Sequence, residues 1–498
     1  MAVLKDWIKK LDIVSVSGET DVCVNEVIYD SRKAAPETVF VCIRGSRADG
    51  HSFVKEVCEA GTRVIVAEEG AGLSGTGDGV TVIRVKDTRK ALALLAAARF
   101  GDPFGKMISI GVTGTKGKTT VTTMLRHILE ACGEKTGLIG TNGCYIDGIR
   151  TLTRNTTPES YELHEDFARM VEAGCRYVIM ECSSQGFKLD RTWGLRFNYG
   201  VFLNISPDHI GPDEHESFEE YLYCKSRLLA QSDTAVINAD APHAEEAAAL
   251  AGCGPDSTVR FSVRRELDET CTDIRYISDS SFTGTSYTAK GLYNGKVLVP
   301  LPGYFNVENS LAALTVSGLL KLDTEKTAEG VRKTSVDGRM EVVVRNDRFM
   351  IFVDYAHNEV SMVSLLETLR RDYAPRRLVV LFGCGGNRSK DRRTGMGKAA
   401  AESADFTVIT SDNPRYENPE DIIEDIYASY LASGGPAGNC IRITDRRDAI
   451  RYAMENAETG DMIAVIGKGH EDYIERCGVR TRFLDREVIL EEKEKLGL

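Results

Sequence analysis

Ile110-Gly111-Val112-Thr113-Gly114-Thr115-Lys116-Gly117-Lys118-Thr119-Thr120 places a glycine-rich loop between an apolar run and a helical one. Met107 to Val112 reads as a short buried strand. Val121, Met124, Leu125, Ile128 and Leu129 recur at helical spacing until Gly133, a good stop residue. The loop therefore opens a helix, where free backbone N–H groups and the positive end of the helix dipole attract phosphate. Lys118 can then reach the β- and γ-phosphates of a nucleotide, and the Thr119 hydroxyl can hold Mg²⁺. The strict phosphate-loop pattern has Gly where this chain has Val112. The plain alternative, a Gly-rich turn closed by surface lysines, does not account for the strand before it and the helix after it. The chain reads as a nucleotide enzyme.

Composition agrees with a soluble enzyme. At 498 residues, a prior of roughly 150 residues per domain suggests about three domains. A formal net charge of −12 and a pI near 5.4 argue against a nucleic-acid partner, which calls for a basic face. Anionic substrates must be met by local positive groups. Met1 to Leu11 interleaves Lys and Asp with apolar residues, so an amphipathic helix is expected there, not a secretion signal. No apolar run reaches membrane-spanning length. A cytoplasmic protein acting as a monomer, with no membrane partner, is the expectation. Thirteen cysteines without a C-x-x-C pair fit reduced thiols packed as small hydrophobes.

Three blocks follow along the chain. The first has strand-like runs at Val39 to Ile43, Val64 to Ala67 and Val80 to Val85, then an Ala/Leu helix from Arg89 to Phe100, with Gly101 to Gly105 as linker. The second runs strand, loop, helix, strand from Met107, with further strands at Tyr177 to Met180 and Tyr199 to Leu203, a doubly wound α/β signature. The third has strands at Met350 to Val353, Leu378 to Phe382, Phe406 to Thr410 and Met462 to Ile466, separated by helical stretches. Ligands of open α/β sheets bind beyond the carboxyl ends of such strands. Glu181 directly follows one strand, where a carboxylate facing the loop can ligate Mg²⁺. Asp208-His209 follows another, and His357 and His470 also lie just after apolar runs. A surface Glu and a structural His are the plain alternatives.

With these motifs in order, the chain resembles the Mur ligases, ATP-dependent enzymes that build the peptidoglycan stem peptide. The resemblance implies a three-domain α/β architecture: an N-terminal UDP-binding domain over 1–100, a central phosphate-loop ATPase-like parallel sheet over 105–335, and a C-terminal Rossmann-like domain over 339–498. Gly114, Thr115, Lys116, Gly117, Lys118, Thr119 and Thr120 match the family's ATP loop, and Asn309, Arg339 and Asp354 match its other ATP contacts. Thr119, Glu181, His209 and Lys225 match the metal ligands, with Lys225 carbamylated in the family. Lys118, Glu181, His209 and Lys225 would be the catalytic set. A solvated helix lysine is the plain alternative for Lys225.

The resemblance also implies the substrates, UDP-MurNAc-L-Ala-D-Glu and meso-diaminopimelate. Tyr29, Ser31, Ser46, Arg47 and Ala48 match uridine-nucleotide segments; Asn155, Thr156, Thr157, Ser183 and Arg191 match the residues that hold the sugar-peptide. Arg388, Asp412, Asn413, Pro414, Arg415, Gly467 and Glu471 match the amino-acid pocket. Lys116, Gln185, the longer Asp208-to-His215 segment, Asp337 and Asn358-Glu359 depart from the usual pattern. Two further readings therefore stay open: a paralogue of the same chemistry using a different nucleotide-linked or small carboxylic acid, and a binding scaffold that no longer hydrolyses ATP.

Overall fold

A computed structural model describes residues 2–45, 48–207, 210–211, 214–278 and 283–498. The backbone divides into two compact units. One comprises Met1–Thr272, Thr288–Lys296 and Glu308–Val331; the other comprises Asp273–Tyr287, Val297–Val307 and Arg332–Leu498. Every expected strand is present, its ends within two residues of the expected ones.

Two large sheets lie in the first unit. The N-terminal one has the order Ile13–Ser17, Thr81–Val85, Val64–Glu68, Thr38–Val41, Glu26–Ile28, all parallel except Ile13–Ser17. Its helix Thr88–Phe100 starts where the Asp87 carboxylate accepts the Arg89 and Lys90 N–H groups at 2.9 and 3.1 Å. The expected long helix at the N-terminus is corrected to one turn, Leu4–Trp7, continued by the 3-10 turn Ile8–Lys10. Ala2–Val3 instead pairs with Cys23–Val24 as a strand, and Leu4 N–H donates to Val22 O at 3.0 Å. The apolar stripe Leu4, Trp7, Ile8 and Leu11 is buried as its spacing foretold. The Gly101 to Gly105 linker is pinned by Phe104, whose ring packs against Phe167 and Phe197 at 4.8 and 5.1 Å.

The central sheet has the order Ile149–Thr151, Gly143–Ile146, Thr136–Gly140, Tyr177–Glu181, Ile108–Thr113, Phe197–Phe202, Ser232–Asn238, Thr258–Phe261. Its last six strands run parallel. The loop strand Ile108–Thr113 thus lies between Tyr177–Glu181 and Phe197–Phe202, with Glu181 opposite Val112 and Phe202 opposite Thr113. That register brings the phosphate loop, Glu181 and the segment after Phe202 to one sheet edge, at the topological switch point.

In the second unit the sheet order is Glu341–Arg345, Phe349–Asp354, Asp461–Ile466, Arg377–Phe382, Phe406–Ile409, Cys440–Arg442, antiparallel only at its first pair. Apolar clusters cover both faces, one around Leu366, Ile422 and Ile426, the other around Ile450, Met454 and Ile489. Buried on both sides, these strands read as continuous apolar runs. All thirteen cysteines are free, and among the described residues no helix is long and apolar enough to cross a membrane.

Candidate active site

The phosphate loop is held from below and from the side. Thr115 N–H donates to Asn204 O at 3.1 Å, Lys116 N–H to Asn204 Oδ1 at 2.9 Å, and Asn204 Nδ2 returns a bond to Lys116 O at 3.2 Å. Because this clamp runs through the backbone of Lys116, the loop keeps its shape whatever side chain stands there. Lys118 Nζ arches back to Gly114 O and Thr115 O at 2.7 and 3.3 Å. Gly117, at φ +87°, begins the helix Lys118–Ala131, and a Cβ there would stand 2.3 Å from Asn309 Oδ1. Asn309 is therefore seated on the loop. Gly117→Ala is expected to add about 1–2 kcal/mol of left-handed strain and to displace Asn309; a KM for ATP equal to that of wild type would refute this.

Glu181 is 1% exposed and would be costly as a lone buried charge. It accepts from Thr119 Oγ1 at 3.0 Å, Thr141 N at 2.9 Å and Thr141 Oγ1 at 3.1 Å. Gly140 makes this possible, since a Cβ there would lie 2.3 Å from Glu181 Oε1. The Thr119 hydroxyl beside the Glu181 carboxylate is a hard, all-oxygen donor pair, and that fits magnesium.

Lys225 is 1% exposed, which removes the solvated-lysine reading. It lies on the helix Phe218–Ala230, one turn after Tyr221, with its Nζ 4.6 Å from the Tyr221 ring centre. Tyr221 OH meets Thr115 Oγ1 at 3.0 Å, so this helix face is tied to the phosphate loop. Asp208 and His209 lie outside the described residues, as do Ser46 and Arg47. Nearby, His215, Glu220 and Cys224 bring ligand atoms within 4.8 Å of one another. Both Glu220 oxygens already face the Lys188 ammonium at 3.0 Å, so the cation in that cluster is the lysine.

A cavity of about 1520 Å³ opens beside the N-terminal sheet, lined in part by Tyr29, Ser31, Ala48, Arg89, Asn155 and Glu159. Burial and the Glu162 carboxylate, 2.6 Å away, keep the Tyr29 phenol protonated. Arg191 binds Glu159 Oε1 through Nε and Nη2 at 2.9 and 2.8 Å, and Arg89 approaches Glu159 Oε2 at 3.4 Å. Thr156 and Thr141 hydroxyls meet at 3.0 Å. Thr157 is fully buried, donating to Glu181 O and accepting from Ser183 N–H, both at 2.9 Å. Ser183 Oγ caps the helix Ser184–Lys188 at Gly186 N–H. The Thr157 hydroxyl thus joins this loop to the Glu181 strand and to the Ser183 backbone.

The second unit gathers its own cluster of polar side chains. Asn413 Nδ2 donates to Glu471 Oε2 at 2.8 Å, and Lys468, fully buried, lies 3.4 Å from Glu471 and 3.8 Å from Asp412. Burial, then the Asp412 charge, raises the Glu471 carboxyl above its ordinary range. Arg415 sits at φ +53°, an uncommon conformation for a residue with a side chain. It is pinned by Arg415 N–H to Glu475 O at 2.9 Å and Cys477 N–H to Arg415 O at 2.7 Å. Its Nη1 donates to Gly386 O at 2.6 Å, which brings the Pro414-Arg415 turn onto the Gly383 to Arg388 loop. Arg388 itself is exposed. A Cβ at Gly467 would stand 3.1 Å from Asp412 Oδ2. Arg339 lies 4.7 Å over the Tyr355 ring, and both Asp354 oxygens accept backbone N–H groups, from Met340 and Ala356, at 2.8 and 2.7 Å. The Asn358 departure has a local use, forming a capping box with Ser361 at the start of Glu359–Tyr373.

Three family profiles match in chain order: "Mur ligase family, catalytic domain" over residues 24–100, "Mur ligase middle domain" over 112–317, and "Mur ligase, glutamate ligase domain" over 338–469. The chain belongs to the Mur ligase family. It is 37% identical over 491 residues to the UDP-N-acetylmuramoyl-L-alanyl-D-glutamate–2,6-diaminopimelate ligase of Clostridium perfringens, covering 98% of each chain. With the ligase of the same name from Chlorobaculum tepidum it shares 40% over 483 residues, 94% of this chain and 92% of that one. A solved structure of a ligase of this name superposes with a TM-score of 0.70 at 27% identity, over 100% of this chain and 99% of that one.

In this Mur ligase several site residues escape sequence reasoning. Thr141, Asn204 and Tyr221 are ordinary polar residues in sequence, though Thr141 and Asn204 share with Glu181 the one available signal, a place just past a strand.

Proposed function

We propose that this Mur ligase joins meso-2,6-diaminopimelate to UDP-MurNAc-L-Ala-D-Glu, forming an amide with release of ADP and phosphate. The observation that carries the reading is Arg415, presented by a pinned, left-handed backbone beside the Asp412, Asn413 and Glu471 groups. A carboxylate resists attack by an amine. Transfer of the ATP γ-phosphoryl group to it gives an acyl phosphate, and amine attack on the acyl carbon then expels phosphate. Such transfer needs mainly positioning and charge neutralisation. Lys118 and the loop N–H groups hold the phosphates, and Asn309 braces the loop. Thr119 and Glu181, with His209 and a carbamylated Lys225, would hold magnesium, which would supply neutralisation of the phosphate charge. Arg339 and Asp354 match the family's other ATP contacts.

The test is ADP release with a panel of UDP-MurNAc peptides crossed with a panel of amino acids. Turnover confined to the dipeptide and diaminopimelate supports the reading. Turnover with another acid selects the paralogue, and no phosphate release with any pair selects the scaffold.

The nucleotide cavity gives a second check. Arg191 is held ready by Glu159 and Thr157 O, and its guanidinium is expected to take an anionic group of the nucleotide substrate. A charge-assisted bond of about 1.5–3 kcal/mol implies that Arg191→Ala raises the KM for the nucleotide on the order of tenfold or more, while the KM for ATP stays near wild type. Equal changes in both would count against the assignment.

A further inference from the structure

Asp445-Arg446-Arg447-Asp448 opens the helix Arg446–Glu455, with the Asp445 carboxylate accepting the Arg447 and Asp448 N–H groups. Of the two arginines, Arg447 reaches outward to Glu491 and Glu492. Arg446 turns inward and is 1% exposed. It forms a bidentate pair with the fully buried Asp485, Nε to Oδ1 and Nη2 to Oδ2, both at 2.7 Å. Asp485 is the first residue of the C-terminal helix Asp485–Leu496, where the helix dipole favours a carboxylate.

The rest of the guanidinium is aimed at two carbonyls. Nη2 donates to Ile466 O at 3.0 Å, and Nη1 lies 3.5 Å from Ser411 O. Ile466 ends the strand Asp461–Ile466 and is followed by Gly467 and Lys468; Ser411 precedes Asp412. One side chain therefore grips the roots of both loops that carry Asp412, Asn413, Arg415 and Glu471. Asp412 and Glu471 lie beside the buried Lys468, and Asp485 beside the buried Arg446.

We propose that Arg446 and Asp485 are a positioning pair for the amino-acid pocket, fixing the spacing of the Asp412–Arg415 and Gly467–Glu471 loops and making the C-terminal helix part of that site. The proposal rests on the reading that these loops receive the amino acid. A planar five-donor fork can hold a carboxylate and two carbonyls together; an ammonium cannot reproduce that geometry. Displacing pocket groups by about 1 Å from a site remote from the chemistry is expected to cost on the order of 10²-fold in rate.

The test is steady-state kinetics of the full chain with Arg446→Lys, Asp485→Asn and the charge-preserving Asp485→Glu. Arg446→Lys and Asp485→Asn are expected to raise the KM for diaminopimelate at least about tenfold, with the KM values for ATP and the nucleotide within about twofold of wild type. Asp485→Glu should recover part of the loss. A uniform rise in all three KM values, or none in folded variants, overturns the proposal. Should wild type prefer another amino acid, the substrate reading fails but the same KM split, read with that amino acid, still decides the pair's role. Amide hydrogen exchange on the wild-type enzyme covers variants that do not fold. Adding the amino acid should slow exchange in Arg446–Glu455 and Asp485–Leu496, and unchanged exchange in both helices overturns the proposal.

Discussion

Lys225→Ala is expected to lose on the order of 10²-fold or more in kcat while remaining folded, and to regain part of it with millimolar acetate or formate. Lys225 is almost fully buried, on a helix face bonded to the phosphate loop through Tyr221 and Thr115. An ammonium so placed would repel magnesium, whereas a carbamate would offer it oxygen ligands. A neutral amine can take up carbon dioxide, turning a cation into an oxygen ligand of the kind magnesium accepts. Removing the side chain leaves a space that a small carboxylate can enter with the same donor atoms. Full activity in Lys225→Ala would sink the assignment. Mass spectrometry of wild type at high bicarbonate, after mild trapping, should show a carbamate on the peptide containing Lys225; its absence together with no rescue would assign the lysine to packing alone.

How much of this was legible in the sequence follows from burial. Strands covered on both faces, such as Ile108–Thr113 and Arg377–Phe382, are unbroken apolar runs and were found nearly to the residue. The exposed edge strand Ile13–Ser17 and the charged hairpin Tyr473–Arg476 with Val479–Arg482 carry no such signal. That hairpin matters, because its Glu475 carbonyl and Cys477 N–H hold Arg415 in place. The N-terminal helix failed for a different reason. Its 3.6-residue stripe was real, but backbone pairing of Ala2–Val3 with Cys23–Val24 depends on residues about twenty positions on, and it shortened the helix. In the site, Glu181 was readable as a strand-end carboxylate. The hydroxyl of Thr157 is readable only as a polar group, and its use in tying its loop to the Glu181 strand is a tertiary fact. Arg446 and Asp485 lie 39 residues apart and resemble any surface pair until the fold buries them together.

The choice of amino acid turns on a single carboxylate, so the wild-type enzyme is expected to prefer meso-diaminopimelate over L-lysine by roughly 10⁴ in kcat/KM. The two substrates are otherwise alike. A guanidinium can clamp the distal carboxylate of diaminopimelate through two parallel hydrogen bonds, whereas lysine leaves it facing a methylene or an ammonium with its own charge unanswered. Arg415 sits at a conformational cost, since a left-handed backbone on a side-chain-bearing residue persists only where neighbours over-determine it. Here the neighbours are the Glu475 carbonyl, the Cys477 N–H and the Gly386 carbonyl. On the proposed reading Glu471 and Asp412 would meet the ammonium ends, and the exposed Arg388 would help position a carboxylate. Arg415→Ala should therefore collapse the preference chiefly by losing diaminopimelate activity, with lysine activity little changed. Comparable use of lysine by the wild type, or an Arg415→Ala variant that keeps its preference, would move the specificity to another residue.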